Sequence, residues 1–190
     1  MVRIKICGIR NKEDIQIMNK YKPDYIGFVF VNTSKRYVDI DTAYNCKMAL
    51  NKEIKAVGVF LDADISSIIN IVKRGIIDII QLHGNEDSGY IKNLRDMVDI
   101  PIIKAYREDA NADYLLLDNV NPGSGKVFDW NKIKTTKKYF LAGGININNV
   151  LDALKLNPYA IDVSSGVEVN GFKDEKKVEE IIRMVREYEG

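Results

Sequence analysis

The chain predicts an α/β fold in which the strands close into a trimmed, single-domain (β/α)8 TIM barrel. Three observations carry this. Eight short, β-branched apolar runs recur along the 190 residues, at 2–6, 24–30, 54–60, 77–81, 100–105, 112–117, 138–141 and 159–163. Most are apolar at successive positions rather than alternating, as strands covered on both faces are. Helical patterns lie between them, and alternating strand and helix signals imply βα units and a parallel sheet. Eight units in this length leave about 24 residues each, enough for a strand, a short helix and two tight loops.

Each element has its own local warrant. The first strand runs into Cys7-Gly8. Residues 11–21 open on a polar cap candidate, Asn11, and carry Ile15, Ile17 and Met18 on one side. Residues 64–74 open with Asp64, repeat Ile65, Ile68, Ile69 and Val72 at helical spacing, and end before Gly75, a fitting C′ position. Residues 106–111 are too few for a full helix between strands five and six. Residues 119–137, rich in Pro, Gly and Lys, leave room for one short helix at most, so the helices after strands five and six are short or missing. Residues 146–156 stop before Pro158, and 173–187 close the chain as a helix with a charged outer face. An open doubly wound sheet is the competing architecture. One barrel domain over residues 1–190 is expected.

Composition narrows the function classes. A hydrophobic fraction of 46% with 29% charged residues excludes a disordered chain. A net charge of +1 gives no bulk excess of cations to neutralise nucleic-acid phosphates, and the basic stretch at 132–138 reads as solvated surface. The longest apolar run, near 26–31, falls far short of the roughly 18 residues a membrane span needs. The start of the chain lacks the apolar segment of a secretory signal. Two cysteines make no disulfide framework, so a reducing, cytoplasmic setting is expected.

Reacting groups of such a barrel project from the C-terminal ends of its strands. Those positions hold Cys7-Gly8, Ser34 to Arg36, Gln81-Leu82-His83-Gly84, Asp118, Asp129, Gly143-Gly144-Ile145 and Ser164-Ser165-Gly166. Glycines admit an anion close to backbone N–H groups, and the loops after strands seven and eight are where barrels hold phosphate, with a helix start at Asn146 adding a positive dipole end. Residues 121–126, NPGSGK, lack the first Gly and the final hydroxyl of a nucleotide loop. Period two places Lys5 on the same face as Cys7 and one layer deeper. If Cys7 points inward, the buried ammonium needs a partner, for which Asp162 is the candidate, and a cation there favours thiolate. A small buried hydrophobe is the other reading of Cys7. Asp129 sits between Phe128 and Trp130, where desolvation raises a carboxyl pKa and suits an acid; a helix N-cap is the alternative. Arg36 can grip a carboxylate bidentately or lie free on the surface. His83, the lone histidine, is either an acid or base or a hydrogen-bonded wall residue. One His and two distant cysteines offer no metal-ligand cluster.

These segments, with residues 57–60 (VGVF), 125–130 (GKVFDW) and 162–168 (DVSSGVE), resemble the phosphoribosylanthranilate isomerase family, in order, from about residue 3 to Asp174. The resemblance implies an enzyme of tryptophan biosynthesis that carries out an Amadori rearrangement of N-(5'-phosphoribosyl)anthranilate to 1-(o-carboxyphenylamino)-1-deoxyribulose 5-phosphate without a cofactor. It assigns Cys7 as general base, Asp129 as general acid, Arg36 to the anthranilate carboxylate, and Gly143, Gly144, Ile145, Ser164, Ser165 and Gly166 to phosphate. His83 joins them as a substrate-binding candidate. The expected partner is a small phosphosugar, with no nucleic acid or membrane, and the chain a monomer or homodimer. One departure stands out: Asn121-Pro122-Gly123 replaces the usual Gly pair ahead of Ser124, and Pro122 stiffens that loop. The rival readings are another phosphosugar barrel enzyme, such as indoleglycerol-phosphate synthase or a tryptophan synthase α-type lyase, and a non-catalytic phosphate-binding barrel.

Overall fold

A computed structural model describes residues 1–118 and 133–189. The strands are β1 (Arg3–Cys7), β2 (Tyr25–Val29), β3 (Lys55–Phe60), β4 (Ile79–Leu82), β5 (Ile102–Ala105), β6 (Tyr114–Leu117), β7 (Tyr139–Leu141) and β8 (Ala160–Val163), and they form a closed barrel in sequence order. β1 pairs in parallel with both β2 and β8, which closes the sheet and removes the open doubly wound alternative. A small antiparallel pair, β9 (Glu168–Val169) and β10 (Phe172–Lys173), follows β8.

Six α-helices are described: α1 (Lys12–Tyr21), α2 (Ile40–Ala49), α3 (Ile65–Lys73), α4 (Ser88–Arg95), α5 (Val150–Leu154) and α6 (Glu175–Glu187). The Asn11 side chain caps α1 by accepting the Asp14 N–H at 2.7 Å. Gly75, at φ 68°, follows α3 in the left-handed conformation expected of it. Two helices carried no sequence expectation. α2 buries only Ala43 and Cys46, too few apolar positions to draw a stripe, and α4 is a short segment burying Ile91 and Leu94.

Two expected boundaries move. The helix anticipated from Asn146 begins at Val150, because residues 146–149 form a turn in which Asn149 Oδ1 accepts the Asn146 N–H at 2.8 Å. The last helix begins at Glu175 behind the Asp174 cap, and Lys173 belongs to β10 instead. No residue described between β5 and β6 is helical, as the short spacing predicts. There Lys104, on the outer face of β5, is buried. Its Nζ donates to Gly84 O at 2.6 Å and Glu86 Oε2 at 2.9 Å, so the loop after β4 folds over that face.

Alternation along the strands separates two cores. Ile4, Ile6, Ile26, Phe28, Ile80, Leu82 and Ile161 pack outward with the helices. Tyr25, Val57, Ile79, Ile103, Leu116, Phe140 and Ala160 fill the barrel. Its floor is aromatic: Tyr25 and Tyr114 meet Phe140 edge-on at 5.5 Å, and the Tyr25 and Tyr114 hydroxyls lie 3.1 and 3.3 Å from that of Tyr159. With the floor plugged, only the opposite end can admit a ligand. Among the described residues no helix is long and apolar enough to cross a membrane.

Candidate active site

At the C-terminal ends of the strands lies a cavity of about 270 Å³ lined by Cys7, Ser34, Arg36, Gln81, His83, Asp118, Gly143, Gly144, Ile145, Asp162, Ser164 and Ser165, among others. Of the catalytic and substrate-binding candidates that the structure describes, all but Gly166 line it. Asp129, Trp130 and Pro122 lie outside the described residues.

Cys7 points inward, as the period-two argument requires, and Lys5 lies one layer below it, fully buried. Register brings Lys5 beside Asp162 of β8, and the pair closes at 2.7 Å, confirming the expected buried ion pair. Lys5 also donates to Gln81 Oε1 at 2.9 Å. Burial penalises the Lys5 ammonium, but Asp162 and Cys7 outweigh that penalty and hold its pKa above the ordinary lysine value. Gly27 of β2 makes room for the thiol: a Cβ there would stand 2.6 Å from Cys7 Sγ. A glycine inside a strand is the sign of such a close approach.

Lys5 favours the Cys7 thiolate, as expected, but it does not act alone. Burial pushes the Cys7 thiol up and Lys5 pulls it down. Asp162 then pushes up again, Lys173 pulls down, and the balance leaves Cys7 above the ordinary thiol value. Burial is the largest of these influences, and Asp162 adds to it beside the Lys5 ammonium.

The hydrogen bonds also orient His83. An ammonium only donates, so Gln81 turns Oε1 toward Lys5 and its amide NH2 toward His83 Nδ1 at 3.0 Å. Nδ1 therefore accepts, and the neutral ring carries its proton on Nε2, which faces the Tyr106 hydroxyl at 2.8 Å and Asp118 Oδ2 at 3.5 Å. With both nitrogens engaged, the geometry favours His83 as a wall residue over an acid or base. Burial and Asp118 raise the Tyr106 hydroxyl above its ordinary pKa.

Gly143 and Gly144 both take positive φ, 91° and 71°, which lets the chain after β7 turn across the mouth. The loop after β8 presses against it so closely that a Cβ on Gly166 would lie 2.0 Å from Ile145 O. The backbone N–H groups of Gly143, Gly144, Ile145 and Ser165 meet no acceptor among the described residues. They are a ready anion cradle at the position barrels use for phosphate.

Arg36 is held. Its Nε and Nη2 donate to the two carboxylate oxygens of Glu168, each at 2.8 Å. A ligand carboxylate would meet the remaining N–H groups of the guanidinium. The sequence pattern assigns Glu168 no role and puts Lys173 in the last helix. In the structure Lys173 is buried, and its Nζ donates to Cys7 O (2.6 Å), Ser164 O (3.2 Å) and Glu168 Oε1 (2.8 Å). Only the contacts of the folded chain disclose these two.

The chain matches the family described as N-(5'-phosphoribosyl)anthranilate (PRA) isomerase over residues 4–184. It is 44% identical to the isomerase of Clostridium acetobutylicum, covering 99% of this chain and 100% of the relative. It is 42% identical to that of Endomicrobium trichonymphae, covering 98% and 99%. Among solved structures, the Thermus thermophilus phosphoribosyl anthranilate isomerase superposes with a TM-score of 0.89 at 31% identity, covering 97% of this chain and 98% of that one. A phosphoribosyl anthranilate isomerase in complex with reduced 1-(o-carboxyphenylamino)-1-deoxyribulose 5-phosphate superposes at 0.81 with 31% identity, covering 98% and 99%. A closed barrel with a thiol, an arginine and two glycine-containing loops at one mouth agrees with all of these, and the chain belongs to the N-(5'-phosphoribosyl)anthranilate isomerase family, enzymes of tryptophan biosynthesis.

Proposed function

We propose that this mouth isomerises N-(5'-phosphoribosyl)anthranilate to 1-(o-carboxyphenylamino)-1-deoxyribulose 5-phosphate with Cys7 as base and Asp129 as acid. The observation that carries the reading is the convergence of Cys7, Arg36 and the loops after β7 and β8 on one cavity above a closed floor. The phosphate sits on the Gly143-Gly144-Ile145 and Ser164-Ser165-Gly166 backbone, and the anthranilate carboxylate meets Arg36. These remote contacts orient the sugar between them.

Asp129 donates a proton to the furanose oxygen. The bond from that oxygen to C1 breaks as the anthranilate nitrogen lone pair forms an iminium with C1. The iminium acidifies the C2 proton, which Cys7 removes as its electrons flow to nitrogen, giving an enolamine. Loss of the C2 hydroxyl proton and protonation at C1 then leave the ketone. Cys7 acts as its thiolate, the form that Lys5 and Lys173 favour and burial opposes. Ring opening makes the iminium, and only then is the C2 proton acidic enough for that thiolate to remove. The iminium is itself the electron sink, and the chemistry calls on no cofactor. His83 forms the wall beside the substrate and is oriented by Gln81.

A single barrel domain over residues 1–190 carries this site, in the cytoplasm, as a monomer or homodimer. A structural relative from Thermotoga maritima is described as dimeric.

The test is decay of the fluorescence of freshly made phosphoribosylanthranilate. Cys7→Ala and Asp129→Asn should each lower turnover by roughly 10²–10⁴-fold with the fold and phosphate affinity retained. Near-normal turnover in either folded variant removes that residue from its role. Phosphate affinity without turnover in the wild type would favour the non-catalytic barrel.

A further inference from the structure

The chain of charges from Arg36 through Glu168 to Lys173 is longer than recognition of one carboxylate needs. Glu168 Oε1 accepts from both Arg36 Nε and Lys173 Nζ, while Oε2 accepts from Arg36 Nη2. Lys173 is as buried as a core leucine, its side chain only 1% exposed, and its three donors go to Glu168 and to the carbonyls of Cys7 and Ser164. A buried ammonium is costly, and an apolar side chain of similar length would fill the space at less expense. The charge therefore calls for a reason beyond packing.

Position supplies one. Lys173 joins the carbonyl of Cys7, on β1, to the loop after β8 and to the carboxylate that holds Arg36, on the loop after β2. The charged groups facing Cys7 are Lys5 from its own strand, Asp162 from β8, Lys173 from β10 and, farther out, Arg36. Lys5 is committed to Asp162, which leaves Lys173 as the second cation beside the thiol. Its charge is shared with the same Glu168 that fixes the guanidinium edge. Burial draws Lys173 below the ordinary lysine value and Glu168 resists that. Burial also works to raise Glu168, but Arg36 and Lys173 outweigh it and hold its carboxyl below the ordinary value.

We propose that Glu168 and Lys173 are positioning residues of this enzyme, Glu168 aiming Arg36 at the substrate carboxylate and Lys173 both anchoring the Cys7 backbone and supporting its thiolate. The base and the carboxylate grip are thereby built from one ionic unit. The Glu168 half rests on the assignment of Arg36 under Proposed function; the Lys173 half does not.

Two experiments separate these halves. The first follows iodoacetamide alkylation of Cys7 in the free protein at pH 8 by peptide mass, which distinguishes it from Cys46. Removing a cation beside a thiol raises its pKa, and one unit is a tenfold loss of thiolate. Lys173→Met and Lys173→Gln should react roughly tenfold more slowly, with Lys173→Arg restoring most of the rate. Unchanged or faster alkylation in a folded variant, as mere loosening would give, overturns the role. So does failure of both neutral variants to fold by circular dichroism, which would make Lys173 structural. The second experiment compares binding of reduced 1-(o-carboxyphenylamino)-1-deoxyribulose 5-phosphate with that of the analogue lacking the ring carboxylate. Wild type should prefer the carboxylate, and Glu168→Gln should lose roughly tenfold of that preference while inorganic phosphate affinity is unchanged. Full preference in Glu168→Gln overturns the role of Glu168 alone. No preference in wild type overturns the Arg36 assignment together with the Glu168 half, and leaves the alkylation result to decide Lys173 by itself.

Discussion

Cys7 and Asp162 approach the same ammonium, and that sharing decides what each can do. The carboxylate takes the Lys5 charge at 2.7 Å, so the thiol above it gains less than a lone neighbouring cation would give, and burial carries its pKa upward. Glu168 is the converse case, a carboxylate between two cations with its pKa below the ordinary 4.5. A carboxyl whose folded pKa is depressed adds stability that is fully present above the unfolded value and is lost as pH falls through the folded one. Urea unfolding between pH 6 and pH 3 should therefore show stability dropping below pH about 4.5. Glu168→Gln should show a shallower drop over the same interval. An identical slope in the two proteins would mean that Glu168 is not held by these partners in solution. Of the site's side chains, Cys7, Arg36 and Asp162 were legible because strand period and motif spacing place them. Glu168 and Lys173 were not, because their partners lie far away in the chain, Arg36 at a separation of 132 residues and Cys7 at 166.

At the scale of elements, the loops after β7 and β8 form one cradle because Gly166 allows contact with Ile145. Any side chain there would drive Cβ into a backbone carbonyl at 2.0 Å, and one of the two loops would have to move. Gly166→Ala should therefore weaken inhibition by inorganic phosphate and raise KM by roughly tenfold or more, while alkylation of Cys7 proceeds at the wild-type rate. Unaltered phosphate inhibition would show that the cradle lies elsewhere. The strands were readable because apolar runs covered on both faces have a plain signature. α2 was missed because two buried residues draw no stripe. The helix expected from Asn146 is shorter because Asn side chains compete for the backbone and turn the chain before it can wind.

Across the whole molecule, the barrel interior is layered. An aromatic floor lies at one end, Lys5, Gln81 and Asp162 form a polar middle, and Cys7 and Arg36 stand at the mouth. The polar middle is a stake in stability. Lys5→Met would leave a buried carboxylate without its cation, and the loss should be about 3–5 kcal/mol in urea unfolding. Adding Asp162→Asn to that variant should recover part of it, since breaking a buried pair costs more than replacing both partners. A single variant as stable as wild type would mean that solvent reaches this layer.

The order of apolar runs, their spacing and the residues at their ends determined the barrel, its missing helix after β5 and most of the lining of its mouth, because these are properties of neighbours along the chain. Closure decided the rest. It set the Lys5 charge against Asp162, chose the histidine tautomer through Gln81, and delivered Lys173 and Glu168 to Cys7 and Arg36. Burial and long-range Coulomb interactions depend on distances in space, and a linear order of residues does not contain them.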